Sequence, residues 1–378
     1  MMKTEQPYDA IILGSGIAGL GAAYALVRRG QKILLVSPQK RLKGESTPAS
    51  AGILDPFLES ASPSSPFFRL KKKAFLKLPR QLQEIERESG VKTGYARTGM
   101  LFTALTLVEE KKLKKRLASH KPAGIPVRWL DRSKALRQWP CLDQGIRGVL
   151  FYPTLGRVFP ARFQRALRVI VKRRGGTIVG ARDKVKLIIE QGKVLGIRLD
   201  GKTILARHVI NAGGSWADQS RFSDLRFPIF PIRGQVLIVK GTVKKMKTVV
   251  HSAGGTYIVP WEKGTYLLGS TVEKAGFLPT VQKPVLQKIH RAAARMIPEI
   301  QSCKPVNSWA GLRPCSEDHL PILGKTAIKS YYMAAGYYRS GIVISLYAGE
   351  LLAEGLLGKG FSRELAFFSP RRFEAKRG

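Results

Sequence analysis

From Asp9 to Val36 the chain reads DAIILGSGIAGLGAAYALVRRGQKILLV: an unbroken apolar run, a cluster of glycines, a stretch mixing alanine with leucine, Gly30, and a second apolar run. That order predicts strand, helix, strand. Residues 44 to 56 are rich in small and turn-forming side chains, and residues 60 to 66 read as a loop. Residues 67 to 90 place Phe68, Phe75, Leu78 and Leu82 on one side of a helix with Lys71, Lys72, Lys73 and Lys77 elsewhere, and Pro79 predicts a kink in it. A helix from Phe163 to Arg174 ends at Gly175-Gly176, with strands expected at Thr177 to Val179, Lys184 to Ile189 and Val194 to Leu199, the last two joined at Gln191-Gly192. Val209 to Gly214 is a short buried strand running into small residues. Between 229 and 272 strands recur at Gln235 to Val239, Thr256 to Val259 and Tyr266 to Gly269, with turns at Gly254-Gly255 and Lys263-Gly264. Lys283 to Ile297 and Ile342 to Leu357 read as helices, and Tyr331 to Gly336 as a strand. The class is α/β plus β, with an antiparallel sheet inserted into a parallel framework.

The glycine cluster, Gly14-Ser15-Gly16-Ile17-Ala18-Gly19, sits between the first strand and its helix. In a Rossmann-like βαβ unit the first glycine makes the tight turn, the second admits a pyrophosphate close to the backbone, and the third lets helix pack on strand. The helix N-terminus supplies N–H donors and a positive dipole end. These residues imply a bound dinucleotide, against a βαβ unit that only packs this way. The acid that usually holds the ribose about 20 residues later is missing, because the second strand ends Leu35-Val36-Ser37-Pro38. Ser37 brings a hydrogen-bonding group without charge.

No run approaches the length of a membrane span, and the segment before the first strand is polar, unlike a signal peptide. Cys141, Cys303 and Cys315 suggest reduced cytoplasmic thiols, with no metal pattern. The charge is extreme: 65 Lys and Arg against 26 Asp and Glu give +39. Nucleic acid, an anionic membrane surface and acidic substrates all suit that balance. The basic residues are dispersed, with denser runs at 69–77, 111–116 and 371–377, which favours a solvated surface over a binding stripe. The 67–90 helix, likewise, is either a surface helix packed on its own domain or a membrane-facing one.

Several separated motifs resemble the D-amino-acid oxidase superfamily of FAD-dependent amine oxidases, most closely its glycine oxidase branch. They are Ser46-Thr47-Pro-Ala-Ser-Ala51-Gly52-Ile53, Gly255-Thr-Tyr257-Ile-Val-Pro260 with Leu267-Leu-Gly269-Ser-Thr271, Trp309-Ala-Gly-Leu-Arg313-Pro314, Leu320-Pro321-Ile-Leu-Gly324, and Ala334-Ala-Gly336-Tyr-Tyr-Arg339-Ser-Gly341-Ile342. The resemblance implies FAD held at Gly14, Gly16, Ile17, Ala18 and Gly19, with Ser37 in place of the ribose acid. Ser46 and Thr47 fall at the phosphate and ribityl region, and Ala51, Gly52 and Ile53 at the flavin edge. Val185 pairs with adenine through its backbone, and Gly213 and Gly336 are further contacts. Residues 337 to 343, among them Ser340, Gly341, Ile342 and Val343, bring backbone N–H groups to the pyrimidine end. Arg313 is the implied carboxylate clamp, Tyr257 its partner and Arg339 a further active-site residue. Two departures bear on substrate: Cys315-Ser316 after the Arg-Pro pair, and Ser345-Leu346-Tyr347 after the flavin loop.

From the residues alone, Arg313 follows an apolar run, where a guanidinium needs a partner and an α-carboxylate fits it bidentately; an internal pair with Glu317 or Asp318 is the other reading. No His-Asp or Ser-His pair stands out among five scattered histidines. That suits hydride removal from Cα, which needs orientation more than a side-chain base. The expected division is a discontinuous FAD-binding domain (1–80, 150–225, 306–378) and a substrate domain (81–149, 226–305). The expected activity is oxidation of the C–N bond of a small amino acid or amine, with oxygen or a quinone as acceptor, weak nucleic-acid binding and no transmembrane segment. Two alternatives are carried. One is a quinone-linked D-amino-acid dehydrogenase. The other is an oxidase of a carboxymethylaminomethyl group on tRNA uridine, because the Asp318-His319-Leu320-Pro321 stretch also resembles the FAD domain of a tRNA-modifying member of the superfamily. A non-catalytic flavin- or RNA-binding protein would not need both arginines and the tyrosine.

Overall fold

The computed structural model describes residues 7–40, 42–57, 62–182, 185–218, 226–262, 264–358 and 360–373. The opening segment forms β1 (Tyr8–Leu13), α1 (Ile17–Val27) and β2 (Ile33–Pro38), as its apolar pattern predicts. There follow α2 (Ser46–Ala49), β3 (Ile53–Leu54), α3 (Pro66–Ser89), β4 (Met100–Ala104), α4 (Leu107–His120), β5 (Arg128–Asp131), α5 (Arg132–Gln138), β6 (Gly148–Tyr152), β7 (Gly156–Arg157) and α6 (Pro160–Arg173). The middle of the chain holds β8 (Thr177–Ala181), β9 (Lys186–Glu190), β10 (Lys193–Leu199), β11 (Lys202–Asn211), β12 (Ile229–Lys240), β13 (Val249–Ser252), β14 (Tyr257–Pro260) and β15 (Thr265–Gly269). The remainder supplies α7 (Lys283–Ala294), β16 (Lys304–Ser316), β17 (Ile322–Lys325), β18 (Tyr331–Ala335), α8 (Gly341–Leu356) and α9 (Arg363–Ala366). Expected features at residues 60, 61, 184, 263 and 374–377 lie outside the described residues.

One sheet runs β17-β18-β11-β1-β2-β8, with β10 and β9 continuing from β11. Its centre is parallel, since β1 pairs in parallel with β2 and β11, β11 with β18, and β2 with β8. Parallel strands buried on both faces read as continuous apolar runs, and Ile11, Ile12, Leu13, Ile33, Leu34 and Leu35 are all buried. The second sheet runs β16-β12-β15-β14-β13-β4-β6-β5. It is antiparallel as expected except where β13 lies parallel to β4. Those two strands come from stretches about 150 residues apart, so no tight turn dictates their direction.

The β16 strand was not legible in sequence, because Pro305, Gly311 and Pro314 interrupt its alternation. It nonetheless pairs along β12 from Ile229↔Ser316 to Lys240↔Lys304. It is an edge strand, where proline loses no needed ladder bond. The basic helix α3 starts where Ser65 Oγ accepts the Phe68 N–H at 3.2 Å, continues through Pro79, and ends at Gly90 with φ +74°. Leu70, Ala74, Leu78, Leu82 and Ile85 bury its apolar face in the core beneath α8. Lys77 and Gln81 both reach Glu350 of α8, at 3.0 and 2.7 Å. Among the described residues no helix is long and apolar enough to cross a membrane.

Helices α1 and α8 cross at glycines. A Cβ on Gly21 would lie 2.3 Å from the Ser345 carbonyl oxygen, and one on Gly349 would lie 2.3 Å from the Gly21 oxygen. Backbone, not a pliant side chain, blocks each position. We therefore expect Gly349→Ala to separate the two helices and cost roughly 1 to 3 kcal/mol of overpacking, read as a fall of several degrees in the thermal unfolding midpoint. An unchanged midpoint would show that the crossing tolerates a methyl group.

Candidate functional site

A cleft lies where the N-termini of α1 and α8, the helix α2, the end of β11 and the strands β12, β14 and β16 converge. At its floor, Gly14 has φ +115° and a Cβ there would meet the Ala212 oxygen at 2.3 Å. A Cβ on Gly19 would fall 1.9 Å from the Gly14 oxygen, so this glycine serves packing and does not line the cleft. Gly16 is the N-cap of α1 and has no side chain to cap with. Thr47 Oγ1 accepts the Ile17 N–H in its stead at 3.0 Å, from thirty residues away. Gln164 on α6 donates to the Ser15 carbonyl at 2.9 Å and steadies the loop.

Of the expected cofactor residues, Gly14, Gly16, Ile17, Ala18, Ser46, Thr47, Ala51, Ile53, Gly213, Gly336, Gly341 and Ile342 line this one cleft. Gly52 does not; it has φ +65° and lies against the Val158 oxygen, so it shapes the segment from behind. Ser37 donates its hydroxyl to the Val179 carbonyl at 3.3 Å across to β8, and Pro38 lines the cleft instead. Val185 lies between β8 and β9, not on the strand after Gly175-Gly176, and is buried among Ile11, Leu13, Leu34 and Val36. In the stretch 337–343 the amides of Tyr338, Ser340 and Val343 already donate to the carbonyls of Pro314, Tyr337 and Ser340. The first-turn amides of α8, at Gly341 and Ile342, are the ones a helix leaves without an internal acceptor.

Tyr257, Arg313 and Arg339 line the same cleft, brought together from β14, β16 and the turn before α8. Arg313 donates to Ser270 Oγ at 2.7 Å and to the Thr271 and Arg233 carbonyls at 3.0 and 3.4 Å. Asp318, one of the two carboxylates weighed as its partner, pairs with Arg372 at 2.7 Å. Two strand glycines make room for these side chains. A Cβ on Gly234 would lie 2.2 to 2.4 Å from the Arg313 guanidinium, and one on Gly269, directly across from Tyr257, would lie 2.7 to 2.9 Å from the phenol ring. Glycine inside a strand signals such a close approach, and that signal was available in the sequence.

Sequence reasoning missed Asp55, Gln164, Trp216, His251 and Ser270, all of which line the cleft. No His-Asp pair stands out along the chain, yet a histidine and an acid line this one cleft. Asp55 and His251 reach the cleft from distant parts of the chain, the segment after β3 and the strand β13. Asp55 accepts the Phe57 N–H at 2.7 Å and meets Arg116 at 3.6 Å. The Arg116 guanidinium lies 4.2 Å from the Phe102 ring centre and 5.2 Å from that of Tyr152, whose hydroxyl pairs with His120 Nδ1 at 3.0 Å. His251 stacks on Phe102 at 4.9 Å and tilts against Tyr257 at 5.5 Å. Burial pushes His120 and His251 each down to about 4, so both are neutral at pH 7.

Comparison with known proteins agrees with this geometry. The family model described as DAO, FAD dependent oxidoreductase, matches residues 9–355. The glycine oxidase of Geobacillus kaustophilus (strain HTA426) is 29% identical over 98% of both chains. Hydrogen cyanide synthase subunit HcnC of Pseudomonas aeruginosa is 28% identical over 98% of this chain and 97% of its own. The crystal structure of glycine oxidase from Geobacillus kaustophilus superposes with a TM-score of 0.87 at 28% identity, covering 97% of this chain and 99% of that one.

Two outcomes follow for the wall of the cleft. In Gly234→Ala the new methyl displaces the guanidinium, the mobile end of its side chain, more readily than backbone. Carboxylate ligands should therefore bind about tenfold weaker, ~1.4 kcal/mol, with the thermal midpoint within a few degrees of the parent; unaltered binding would show that Arg313 is not held by this gap. The unfolded chain protonates its histidines from about 6.5 while the folded chain resists until about 4. Stability should then fall as pH drops through that window, a loss that urea melts would see shrink in His120→Gln.

Proposed function

The chain belongs to the DAO family of FAD dependent oxidoreductases, enzymes that oxidise an amino-acid or amine C–N bond with FAD, and we propose that its substrate is a small amino acid or amine of glycine or D-amino-acid type. The observation that carries this reading is the meeting of Arg313 and Tyr257 in the cleft that begins at the glycine loop. A clamp for an α-carboxylate and a dinucleotide floor share one space.

The residues present fit FAD. The Gly14 turn would be filled by any Cβ, Gly16 has nothing nearer to its missing Cβ than Thr47 Oγ1 at 3.5 Å, and the α1 N-terminus faces the loop. Gly14, Gly16, Ile17, Ala18, Ser46 and Thr47 would hold the phosphates, Ala51 and Ile53 the flavin edge, and the Gly341 and Ile342 amides its acceptor atoms. When bound, FAD would supply the two-electron acceptor for a hydride taken from the substrate Cα, so that the amine would become an imine, which water would convert to an oxo acid and ammonia or an amine. The protein's own part is orientation. Arg313, fixed by Ser270 and Thr271, would anchor the carboxylate bidentately. Tyr257 would close over it, and Arg339 would add a second positive charge. Neutral His251, within electrostatic reach of both Asp55 and Arg339, would keep that wall from adding another cation.

The domain division stated above belongs to the same proposal, with the note that β16 is hydrogen-bonded into the substrate-side sheet. Oxygen or a quinone would take the electrons, in the cytoplasm, a location that three buried cysteines without a disulfide suit. A second reading, oxidation of a carboxymethylaminomethyl group on tRNA uridine, is favoured by the +39 charge and by the Asp318-His319-Leu320-Pro321 stretch.

Anaerobic flavin bleaching with glycine, sarcosine, D-amino acids and proline decides between them. Bleaching by at least one free amino acid without RNA is expected, whereas bleaching only with a modified tRNA would transfer the assignment. Arg313→Ala should keep FAD and the fold while raising KM for carboxylated amines by an equivalent of about 2 to 5 kcal/mol. Kinetics equal to the parent's would make Arg313 structural.

A further inference from the structure

Ser270 and Thr271, which hold Arg313, open a stretch that no regular element supports. Residues 270–282 run from the end of β15 to the start of α7 outside any helix or named strand. Phe277 tilts against Trp216, yet Val272, Leu278 and Val281 are exposed, so apolar burial contributes little to fixing the path of this loop. A segment with few buried apolar contacts opens easily unless polar groups anchor it.

The anchors come from behind the sheet. Side chains alternate along β12: Gly234 and Val236 line the cleft, whereas Arg233 and Gln235 are buried and do not line it. Arg233 and Glu273 exchange backbone hydrogen bonds, the Arg233 N–H donating at 2.9 Å and the Glu273 N–H at 3.0 Å. Arg233 Nε donates to Glu273 Oε2 at 2.8 Å, Nη2 donates to the same oxygen, and Nη1 donates to Thr280 Oγ1 at 2.8 Å. Gln235 Nε2 donates to Glu273 Oε1 at 2.9 Å, its Oε1 accepts the Gln282 N–H at 2.7 Å, and its backbone N–H donates to Thr271 Oγ1 at 2.9 Å. Both carboxylate oxygens of Glu273 are thus engaged by β12. Burial alone would raise this carboxyl, but hydrogen bonds from Thr271, Arg233 and Gln235 outweigh it and hold the group below the usual range, ionised at neutral pH.

On the cleft side the same residues meet Arg313, which donates to Ser270 Oγ and to the carbonyls of Thr271 and Arg233. Two of these acceptors belong to the loop, and the third to the residue that Glu273 grips. We propose that Glu273 is a positioning residue: by binding Arg233 and Gln235 behind β12 it keeps Ser270 and Thr271 against Arg313, and so sets the affinity for carboxylated ligands without lining the cleft itself. This rests on Arg313 being the carboxylate clamp. Glutamine at 273 would occupy nearly the same volume but offer one acceptor oxygen where Arg233 and Gln235 use two.

The test compares the parent, Glu273→Gln, Arg313→Ala and the double variant as FAD-loaded full-length protein. Acetate is titrated by its effect on the flavin spectrum, and KM is measured with a free amino acid that bleaches the parent. In Glu273→Gln the acetate Kd and the KM should both rise about tenfold, the scale of a misplaced contact, while the FAD Kd stays at the parent's value. Adding Glu273→Gln to Arg313→Ala should raise KM no further, because a residue acting through Arg313 has nothing left to position. Parent-like acetate binding in Glu273→Gln would overturn the proposal, and so would a full further loss in the Arg313→Ala background, since the effect would then be general loosening. Acetate bound by Arg313→Ala as tightly as by the parent would refute the clamp itself, an outcome distinct from failure at Glu273 alone. Should Glu273→Gln leave Arg233 too poorly compensated to fold, Arg233→Met/Glu273→Leu removes both charges together and carries the same expectations and the same refutations.

Discussion

Everything at the cleft depends on how closely two pieces of backbone can approach. The Gly14 turn lies against the Ala212 carbonyl, and Gly19 lies against Gly14 itself, at distances that no Cβ could survive. That contact fixes the α1 N-terminus at the end of β11. The Gly21–Gly349 crossing then fixes the N-terminus of α8 relative to α1. Two helix ends, each with unsatisfied N–H donors, consequently face one space. A cleft for an anionic dinucleotide is a geometric result of backbone contact rather than of any single binding side chain.

The second sheet completes the site by the same means. Its strands β12, β14, β15 and β16 set Gly234 beneath the Arg313 guanidinium and Gly269 beneath the Tyr257 ring. A guanidinium so placed, bonded to Ser270 and to two carbonyls, has few conformations left to lose on binding. Such ordering before binding is what the proposed carboxylate clamp requires. Behind it, the column Asp55, Arg116, Phe102, His251 and Tyr257 links the segment after β3 to the substrate-side sheet. Its His251 ring, and His120 bonded to Tyr152 beside it, belong to a neutral, buried state, so this region is built for pH values above their window.

The charge of +39 plays little part in this architecture. Lys77 pairs with Glu350 and Lys73 with Glu364, which ties part of the basic face of α3 to its own chain. Exposed pairs of this kind contribute little stability each. Their effect is to occupy cations of the dense basic run at 69–77, while the apolar face of the same helix packs into the core.

The sequence by itself determined the parallel framework, because strands buried on both faces leave continuous apolar runs and tight turns leave glycines at fixed offsets. It determined equally the separate motifs around Tyr257, Arg313 and Arg339, since each is local. The tertiary structure alone decided what those motifs share. Asp55 and His251 carry no pattern in one dimension, and they meet only because β13 lies parallel to β4 against the segment that follows β3. The β16 strand was hidden because an edge position forgives the prolines that argued against it. Ser37, Gly52 and Val185 had motif positions, and folding set them against the Val179 carbonyl, the Val158 oxygen and the core beside β1 and β2, for a spacing along the chain fixes a residue's place in an element and not what that element packs against. Long-range register and side-chain direction depend on contacts between distant segments, and those exist only once the chain has folded.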